Sequence, residues 1–224
     1  MRATLREPSA LLLAAQLAGI LLYPFMEGNE AGRALISIFG ILLLGLVVLT
    51  VRSTPGLTWV VILLGTPATA LLLIQAATRS DDLLPYSSAF EAVLYFYAAG
   101  ALIAYILEDH DITRDELFAV GATFTLVAWA FAYAYVVCQA IWPDSFTAAV
   151  DPNDPRTWME LLFLSVTTLT STGLSDVTPI RPFARALVMI EQLAGLAYVA
   201  MVVSRLVGML VMNRTQAQGG QAPD

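Results

Sequence analysis

Residues 157–179 read TWMELLFLSVTTLTSTGLSDVTP, and this stretch decides how the chain is organised. Its first part, residues 158–169, is mostly apolar and would form a helix about 18 Å long at 1.5 Å per residue. Thr157 is followed three residues later by Glu160, which is the pattern of a capping box, so we expect the helix to begin at Trp158. A helix of this length reaches only about halfway across a bilayer core roughly 30 Å thick.

The residues after this half helix are small and polar up to Asp176, and Val177-Thr178-Pro179 then leads away. Non-helical backbone at membrane depth is tolerated only where it is buried in protein or lines water. The helix would also point its partially negative carbonyl end at the bilayer centre, which favours a cation there. The pattern predicts a pore-lining segment. The alternative is an ordinary re-entrant loop that seals a transporter or supports an interface.

The composition of the whole chain indicates a membrane protein. Of its 224 residues 58% are hydrophobic and 13% are charged, and the mean hydropathy is +0.73. We therefore predict an all-α membrane protein with six transmembrane helices, and with the pore helix and filter re-entering the membrane between helices 5 and 6. The six apolar runs are residues 10–26, 34–51, 57–77, 88–107, 117–141 and 183–212.

These runs predict three regions: a four-helix transmembrane region (1–112), a pore domain (113–212) and a disordered tail (213–224). The first run follows Arg2 and Arg6 and could be a secretory signal, but no small-x-small cleavage site follows it, so we expect a helix. Six spans place both termini on one side of the membrane. Since Arg52, Arg114 and Arg214 then share that side, we predict cytoplasmic termini in a plasma membrane. No segment is long enough for a soluble regulatory domain.

Several classes of function are excluded. Eighteen acidic and eleven basic residues give a net charge of −7, which does not suit a nucleic-acid binder. The single Cys138 lies in an apolar run and rules out a disulfide scaffold. No phosphate-binding glycine loop, histidine pair or activated nucleophile suggests an enzyme, and run 88–107 has no arginines for voltage sensing. We interpret His110 as part of a solvated linker, with a protonation switch as the alternative.

Residues 165–179, SVTTLTSTGLSDVTP, resemble the pore helix and filter of tetrameric potassium channels, whose usual pattern is S-V-T-T-L-T-T-V-G-Y-G-D-x-x-P. Residues 181–208 are similar to the inner helix of small bacterial channels of the ion-channel-2 superfamily. The resemblance covers residues 117–212, whereas the first four spans match only as a generic six-span arrangement. It implies a homotetramer in the lipid bilayer, without a cofactor, that conducts K⁺ or Na⁺. The filter it implies consists of Thr170, Ser171, Thr172, Gly173, Leu174, Ser175 and Asp176, with cations at Ser171, Thr172 and Gly173.

The departures from the family pattern predict weakened potassium selectivity. Ser171 keeps a hydroxyl and Gly173 keeps a residue free to adopt positive φ, so the inner ion sites are expected to survive. Ser175 replaces the second glycine, and a left-handed backbone there would cost roughly 1 kcal/mol or more per subunit. Leu174 replaces the tyrosine that is tethered to the pore helix in the family, and Thr172 places a hydroxyl behind the filter. A non-selective Na⁺/K⁺ channel and a non-conducting scaffold or regulatory subunit are the alternatives.

Two acidic residues and one glycine within the spans are further candidates. An ionisable residue in an apolar span is costly, so Glu191 is either a gating residue or an interhelical hydrogen-bonding contact. Glu91 lies only about one turn inside its span, near the membrane interface, so we favour a structural role for it. Gly195 is a candidate gating hinge, although glycine in a membrane helix is more often a packing contact.

Overall fold

The computed structural model describes residues 8–26, 39–43, 45–47, 49, 58–78, 82–108 and 114–219. Six α-helices have bounds: α1 (Pro8–Met26), α2 (Thr58–Thr78), α3 (Leu84–Glu108), α4 (Arg114–Ile141), α5 (Trp158–Leu169) and α6 (Pro182–Gly219). The predicted run 34–51 lies largely outside the described residues, but 39–43, 45–47 and 49 within it are helical. His110 also lies outside them.

The described part of the chain is mostly helical, as the prediction of an all-α membrane protein requires. Four of its helices contain segments long and apolar enough to cross a membrane. Two shorter apolar helical segments, Trp59–Gln75 and Trp158–Leu169, lie in α2 and α5. The four long segments are Pro8–Phe25, Leu84–Leu107, Asp115–Ile141 and Pro182–Arg205.

Helix α4 lies at the centre of the structure and contacts α1, α3, α5 and α6. Its face is rich in alanine and aromatic residues, and the small alanines let neighbouring helices approach closely while the rings fill the spaces between them. Phe131 of α4 packs edge-on against Phe96 of α3, with ring centroids 4.9 Å apart. The largest cluster of buried apolar residues therefore runs along α4 and connects the first helices to α5.

Two short strands join the segments that flank α5. Strand β1 (Phe146–Thr147) pairs antiparallel with β2 (Thr178–Pro179), and the Ile180 amide donates to the Ser145 carbonyl at 2.8 Å. This pairing was not predicted, because two-residue strands have no periodicity that a sequence can reveal. The β1–β2 pairing holds together the chain segments that precede and follow α5.

The end of α6 differs from the predicted tail. The helix continues to Gly219, so residues 213–219 are helical and only 220–224 of the predicted disordered tail lie outside the described residues. Residues 213–218 include no proline or glycine and can extend a helix that is already formed, because adding a residue to a helix is easier than nucleating one. Gly219, a residue that is costly to hold in a helix, is the last described residue of α6.

Candidate functional site

Helix α5 begins as the sequence predicts. Thr157 is its N-cap, and its hydroxyl accepts from the Glu160 amide at 3.3 Å. The Glu160 carboxylate accepts in turn from the Thr157 amide at 2.6 Å, which completes the capping box. The predicted bounds of residues 158–169 agree with the observed Trp158–Leu169.

Helix α5 ends in a Schellman motif built from the candidate filter. The Ser171 amide donates to the Thr168 carbonyl at 2.9 Å, and the Thr172 amide donates to the Thr167 carbonyl at 2.9 Å. These two bonds define the motif, which places its C′ residue in the left-handed region, where glycine is favoured. Here the C′ residue is Ser171, with φ of 58°. The Gly173 amide also donates to the Thr167 carbonyl, at 3.1 Å.

The left-handed residues of the filter are only partly those expected. Gly173 has φ of 65°, as its freedom from a side chain allows. Ser175, however, does not have positive φ, so the expected strain at this residue is wrong. Its hydroxyl instead accepts from the Val177 amide at 3.0 Å in a local turn. The strain falls on Ser171, because the hydrogen bonds that end α5 determine the left-handed position.

A Ser171→Gly substitution is therefore expected to stabilise the protein, since it removes the cost of a left-handed side chain, about 1 kcal/mol. Ser175→Gly is the matched control and should give no gain, because that residue does not need glycine and glycine costs backbone entropy. Thermal unfolding of both variants in detergent measures the difference. A gain at Ser175 equal to that at Ser171 would contradict the assignment.

The segment 170–176 is accessible in the single chain. Thr170, Ser171, Thr172, Gly173, Leu174 and Asp176 are exposed, and Ser175 is half-buried. The side chain of Leu174 is 75% exposed and therefore is not packed against α5. No backbone carbonyl from 170 to 176 accepts a hydrogen bond from any described residue. The segment thus offers a row of unpaired oxygens at the carbonyl end of α5.

The hydroxyl of Thr172 faces the end of α5. Its Oγ1 lies 3.3 Å from the Thr167 carbonyl oxygen and 3.0 Å from Thr170 Oγ1. Thr170 Oγ1 also donates to the Val166 carbonyl at 2.7 Å. These hydroxyls bind to the last turn of α5, so the position expected behind the filter is polar and hydrogen-bonded.

Gly195 lies where the carbonyl end of α5 meets α6. A Cβ atom built on Gly195 would come within 2.9 Å of the carbonyl carbon and 3.0 Å of the Cα of Leu169. Both neighbours are backbone atoms, which cannot move aside as a flexible side chain would. Gly195 is therefore a contact residue between the inner helix and the end of α5. A gating role for it stays a prediction.

Glu191 lies one turn before Gly195 and is fully buried. Its Oε2 accepts from the phenol hydroxyl of Tyr135 on α4, and its Oε1 is hydrogen-bonded to the hydroxyl of Ser165 on α5. Ser165 Oγ also lies 2.7 Å from the Ala128 carbonyl oxygen on α4. The carboxyl group thus joins three helices, as one of the two sequence interpretations expected.

Two more contacts hold α6 against α4 beyond Gly195. The Tyr198 hydroxyl donates to the Val120 carbonyl at 2.6 Å, and Arg205 forms an ion pair with Glu116 at 2.5 Å. Sequence reasoning missed this pair. An arginine and a glutamate near opposite ends of two adjacent antiparallel helices were a usable signal.

Sequence reasoning also missed Arg156, which is 4% exposed. Its Nε donates to the Asp154 carbonyl oxygen at 3.0 Å. The two terminal nitrogens of the guanidinium donate to the carbonyl oxygens of Val150, at 3.2 Å, and Asp151. It forms an ion pair with Glu160 at 3.1 Å as well. Its position four residues before a glutamate at a helix start was the available signal.

Glu91 is buried at 2% exposure, deeper than a position near the interface implies. It lies beside Tyr95 and Tyr133 in an aromatic cluster that also includes Trp129 and Trp158. Cys138 is a free, buried cysteine, as expected. Among the described residues no group of three His, Cys, Asp or Glu side chains could hold a metal ion.

Comparison with known proteins gives one match, to a family model. No curated protein and no solved structure matches the chain. A family model described as an ion channel matches residues 121–212, which extend from α4 through α5 and the exposed segment into α6. Residues 121–212 are therefore similar to an ion-channel domain, and the described part of the chain contains four helices long and apolar enough to cross a membrane.

Proposed function

We propose that the chain is one subunit of a homotetrameric cation channel that mediates passive flux of K⁺ and Na⁺, with weak selectivity for potassium. The observation that carries the proposal is the exposed segment 170–176, whose backbone carbonyls accept no hydrogen bond from the described residues. Rings of such oxygens replace the hydration shell of a permeating cation. The carbonyl end of α5 adds a partial negative charge at the same place.

Fourfold assembly follows from the single pore segment in each chain. One segment cannot enclose an axis, whereas repeated copies around a closed rotation can. The face of α6 that does not contact α4 or α5 is apolar and exposed, so a neighbouring subunit or lipid can cover it. Its exposed residues are Ile190, Leu193, Leu196, Val199, Val203 and Val207.

The directions of the helices support six spans. Helix α1 runs parallel to α4, since Ser9 bonds to Asp115 at 2.9 Å near the start of both helices and Gly19 lies beside Trp129 farther along. Helices α2 and α3 form an antiparallel hairpin, and α3 is followed by α4 after a short connection. Helices α1 and α2 therefore point the same way, and the helical residues 39–43, 45–47 and 49 between them are consistent with a further crossing. Six crossings place both termini on one side, which we propose to be the cytoplasm at the plasma membrane.

The geometry of α5 supports a re-entrant pore helix. The rings of Trp142 and Phe183 stack at 4.2 Å, so the end of α4 and the start of α6 lie at the same level. The far end of α5 meets α6 at Gly195, thirteen residues after Pro182, which is about 20 Å along the helix. This geometry is what a chain that enters the membrane partway and returns would show.

The outer part of the filter is the reason for proposing weak selectivity. Leu174 is exposed and carries no hydroxyl that could tether the segment to α5, and Ser175 bonds only to its own turn. Since selectivity depends on the number and field strength of the carbonyl rings, a loosely held outer segment should discriminate poorly between K⁺ and Na⁺. Asp176 is exposed next to it, and four copies would raise the local cation concentration.

The test is a flux assay on the purified protein in liposomes under matched K⁺ and Na⁺ gradients. Wild type is expected to conduct both ions. A Leu174→Tyr, Ser175→Gly double variant is expected to raise the K⁺ to Na⁺ flux ratio about tenfold, which corresponds to about 1.4 kcal/mol of added discrimination.

The possible outcomes separate the alternatives. Equal flux of both ions in wild type, unchanged in the double variant, would favour a non-selective pore that does not use these residues. Absence of flux in both proteins across a range of pH values would overturn the channel proposal in favour of a non-conducting scaffold or regulatory subunit.

A further inference from the structure

The contacts of Glu191 can all be hydrogen bonds only if the contacting groups supply enough hydrogen atoms. Three contacts connect four groups: the Tyr135 hydroxyl to Glu191 Oε2, Ser165 Oγ to Glu191 Oε1, and Ser165 Oγ to the Ala128 carbonyl oxygen. A carbonyl oxygen has no hydrogen to donate, and each hydroxyl has one. The protonation state of Glu191 therefore decides how many of these contacts are hydrogen bonds.

An ionised Glu191 leaves the network one hydrogen short. Tyr135 and Ser165 then supply two hydrogens for three contacts, and Ser165 cannot donate to Glu191 and to Ala128 at once. One pair of oxygens would face each other without a hydrogen, 2.7 Å apart in the case of Ser165 Oγ and the Ala128 carbonyl. Such a contact is repulsive in a buried site.

A neutral carboxylic acid satisfies all three contacts. Tyr135 donates to Oε2, the acid proton on Oε1 goes to Ser165 Oγ, and Ser165 donates to the Ala128 carbonyl. The surroundings also favour the uncharged form, because Glu191 is fully buried and forms no ion pair with any described residue.

No neighbouring charge alters this conclusion. Helix α4 contributes Tyr135, with the Cys138 thiol as the next titratable group one turn away, and α5 contributes the uncharged Ser165. On α6 itself the nearest basic residue is Arg185, which is exposed and donates to the Pro179 carbonyl at 3.3 Å.

We propose that Glu191 is a positioning residue that works as a neutral acid: its proton links α6 to the pore helix and fixes the depth of the filter. Ser165 lies five residues before Thr170, about 7.5 Å along α5. Gly195, one turn after Glu191, contacts the last residue of the same helix. The depth of the filter is thus set from α6, and loss of the proton would release α5 there. The inference rests on the proposed function only in naming segment 170–176 as the filter.

The decisive variants are Glu191→Gln and Glu191→Leu. Glutamine can donate from its amide to Ser165 and accept from Tyr135, so it reproduces the neutral acid but cannot lose a proton. We expect its K⁺ to Na⁺ flux ratio to stay near that of wild type at neutral pH. Leucine provides neither bond, so the buried hydroxyls of Tyr135 and Ser165 lose their partner. We expect folded yield or flux to fall roughly tenfold. Glu91→Gln, which changes a second buried carboxyl away from the filter, is the matched control.

The pH profile distinguishes this role from a merely structural one. Wild type should be most stable while the acid is protonated, and its thermal stability and flux should fall as pH rises. Glu191→Gln should show a smaller alkaline loss than wild type, because the buried Glu91 keeps its own contribution, whereas Glu91→Gln should retain the part that belongs to Glu191. An infrared spectrum should also contain the carbonyl stretch of buried protonated carboxylic acids, and its intensity should fall in Glu191→Gln while the contribution of the buried Glu91 remains.

Two results would overturn the inference: Glu191→Gln behaving like Glu191→Leu at neutral pH, or wild type and Glu191→Gln losing stability equally at alkaline pH. The thermal and infrared measurements use the purified protein and do not require conduction. If wild type carries no flux but shows the acid band and the pH-dependent stability, the proposed function fails while the neutral acid at Glu191 stands.

Discussion

A Gly195→Val variant is expected not to form a folded pore domain. A side chain at this position would begin within 3.0 Å of the backbone of Leu169, at the end of the pore helix. Relief would require α5 and α6 to separate, and this would disturb the Glu191 contacts one turn away. We expect a loss of about 3 kcal/mol or more, the upper range for overpacking a core. Folded yield and the unfolding midpoint in detergent measure it.

Gly100→Ala is the control for this experiment. Gly100 lies in α3, and a Cβ built there meets no atom within 4 Å among the described residues. Alanine should be neutral or slightly stabilising at this position, because it favours a helix by up to about 1 kcal/mol over glycine. If Gly195→Ala folded as well as Gly100→Ala and changed only the opening of the channel, a hinge would describe Gly195 better than a packing contact.

Arg156→Met is expected to cause the second large effect. The guanidinium satisfies several carbonyl oxygens of the loop before the pore helix and pairs with Glu160 in the capping box. Methionine fills a similar volume but donates no hydrogen bond, so these part-buried acceptors lose a charged donor. We expect about 2 kcal/mol of destabilisation, because several part-buried carbonyls lose a charged donor, whereas the pair with the partly exposed Glu160 adds little. Thermal unfolding in detergent measures this loss.

Arg181→Met is the matched comparison. The Arg181 side chain is 49% exposed and lies 3.7 Å from Asp144, whose side chain is also exposed. An exposed ion pair contributes about 0 to 1 kcal/mol, so this variant should unfold close to wild type. Similar losses in both variants would show that Arg156 is not the anchor of the loop.

Helix α5 could be predicted from sequence because its signals are local. Thr157 and Glu160 are three residues apart and cap each other within one turn, and the apolar run ends where the small polar residues begin. The family resemblance from 165 to 179 depends on adjacent residues too, and the matched range 121–212 agrees with it. Such signals can be read from the sequence alone because the residues involved are close together in the chain.

The strained residue of the filter was not predictable in this way. The family pattern has glycine where this chain has Ser175, and strain was expected there. The observed left-handed residue is Ser171, since it occupies the C′ position of a Schellman motif whose acceptors are Thr167 and Thr168. Which residue becomes C′ depends on where the helix stops, and helix ends cannot be read from a sequence to a single residue.

The sequence by itself determined the apolar, helical character of the chain, the bounds of α5 and the polar segment that follows it. Only the tertiary structure decided the roles of residues distant in sequence. Glu191 meets Tyr135 and Ser165 across 56 and 26 residues, and Gly195 lies against Leu169 because α5 ends at that depth. The physical reason is that capping and hydropathy depend on residues within one turn or one apolar run. Hydrogen bonds and backbone contacts between helices form only when those helices pack together.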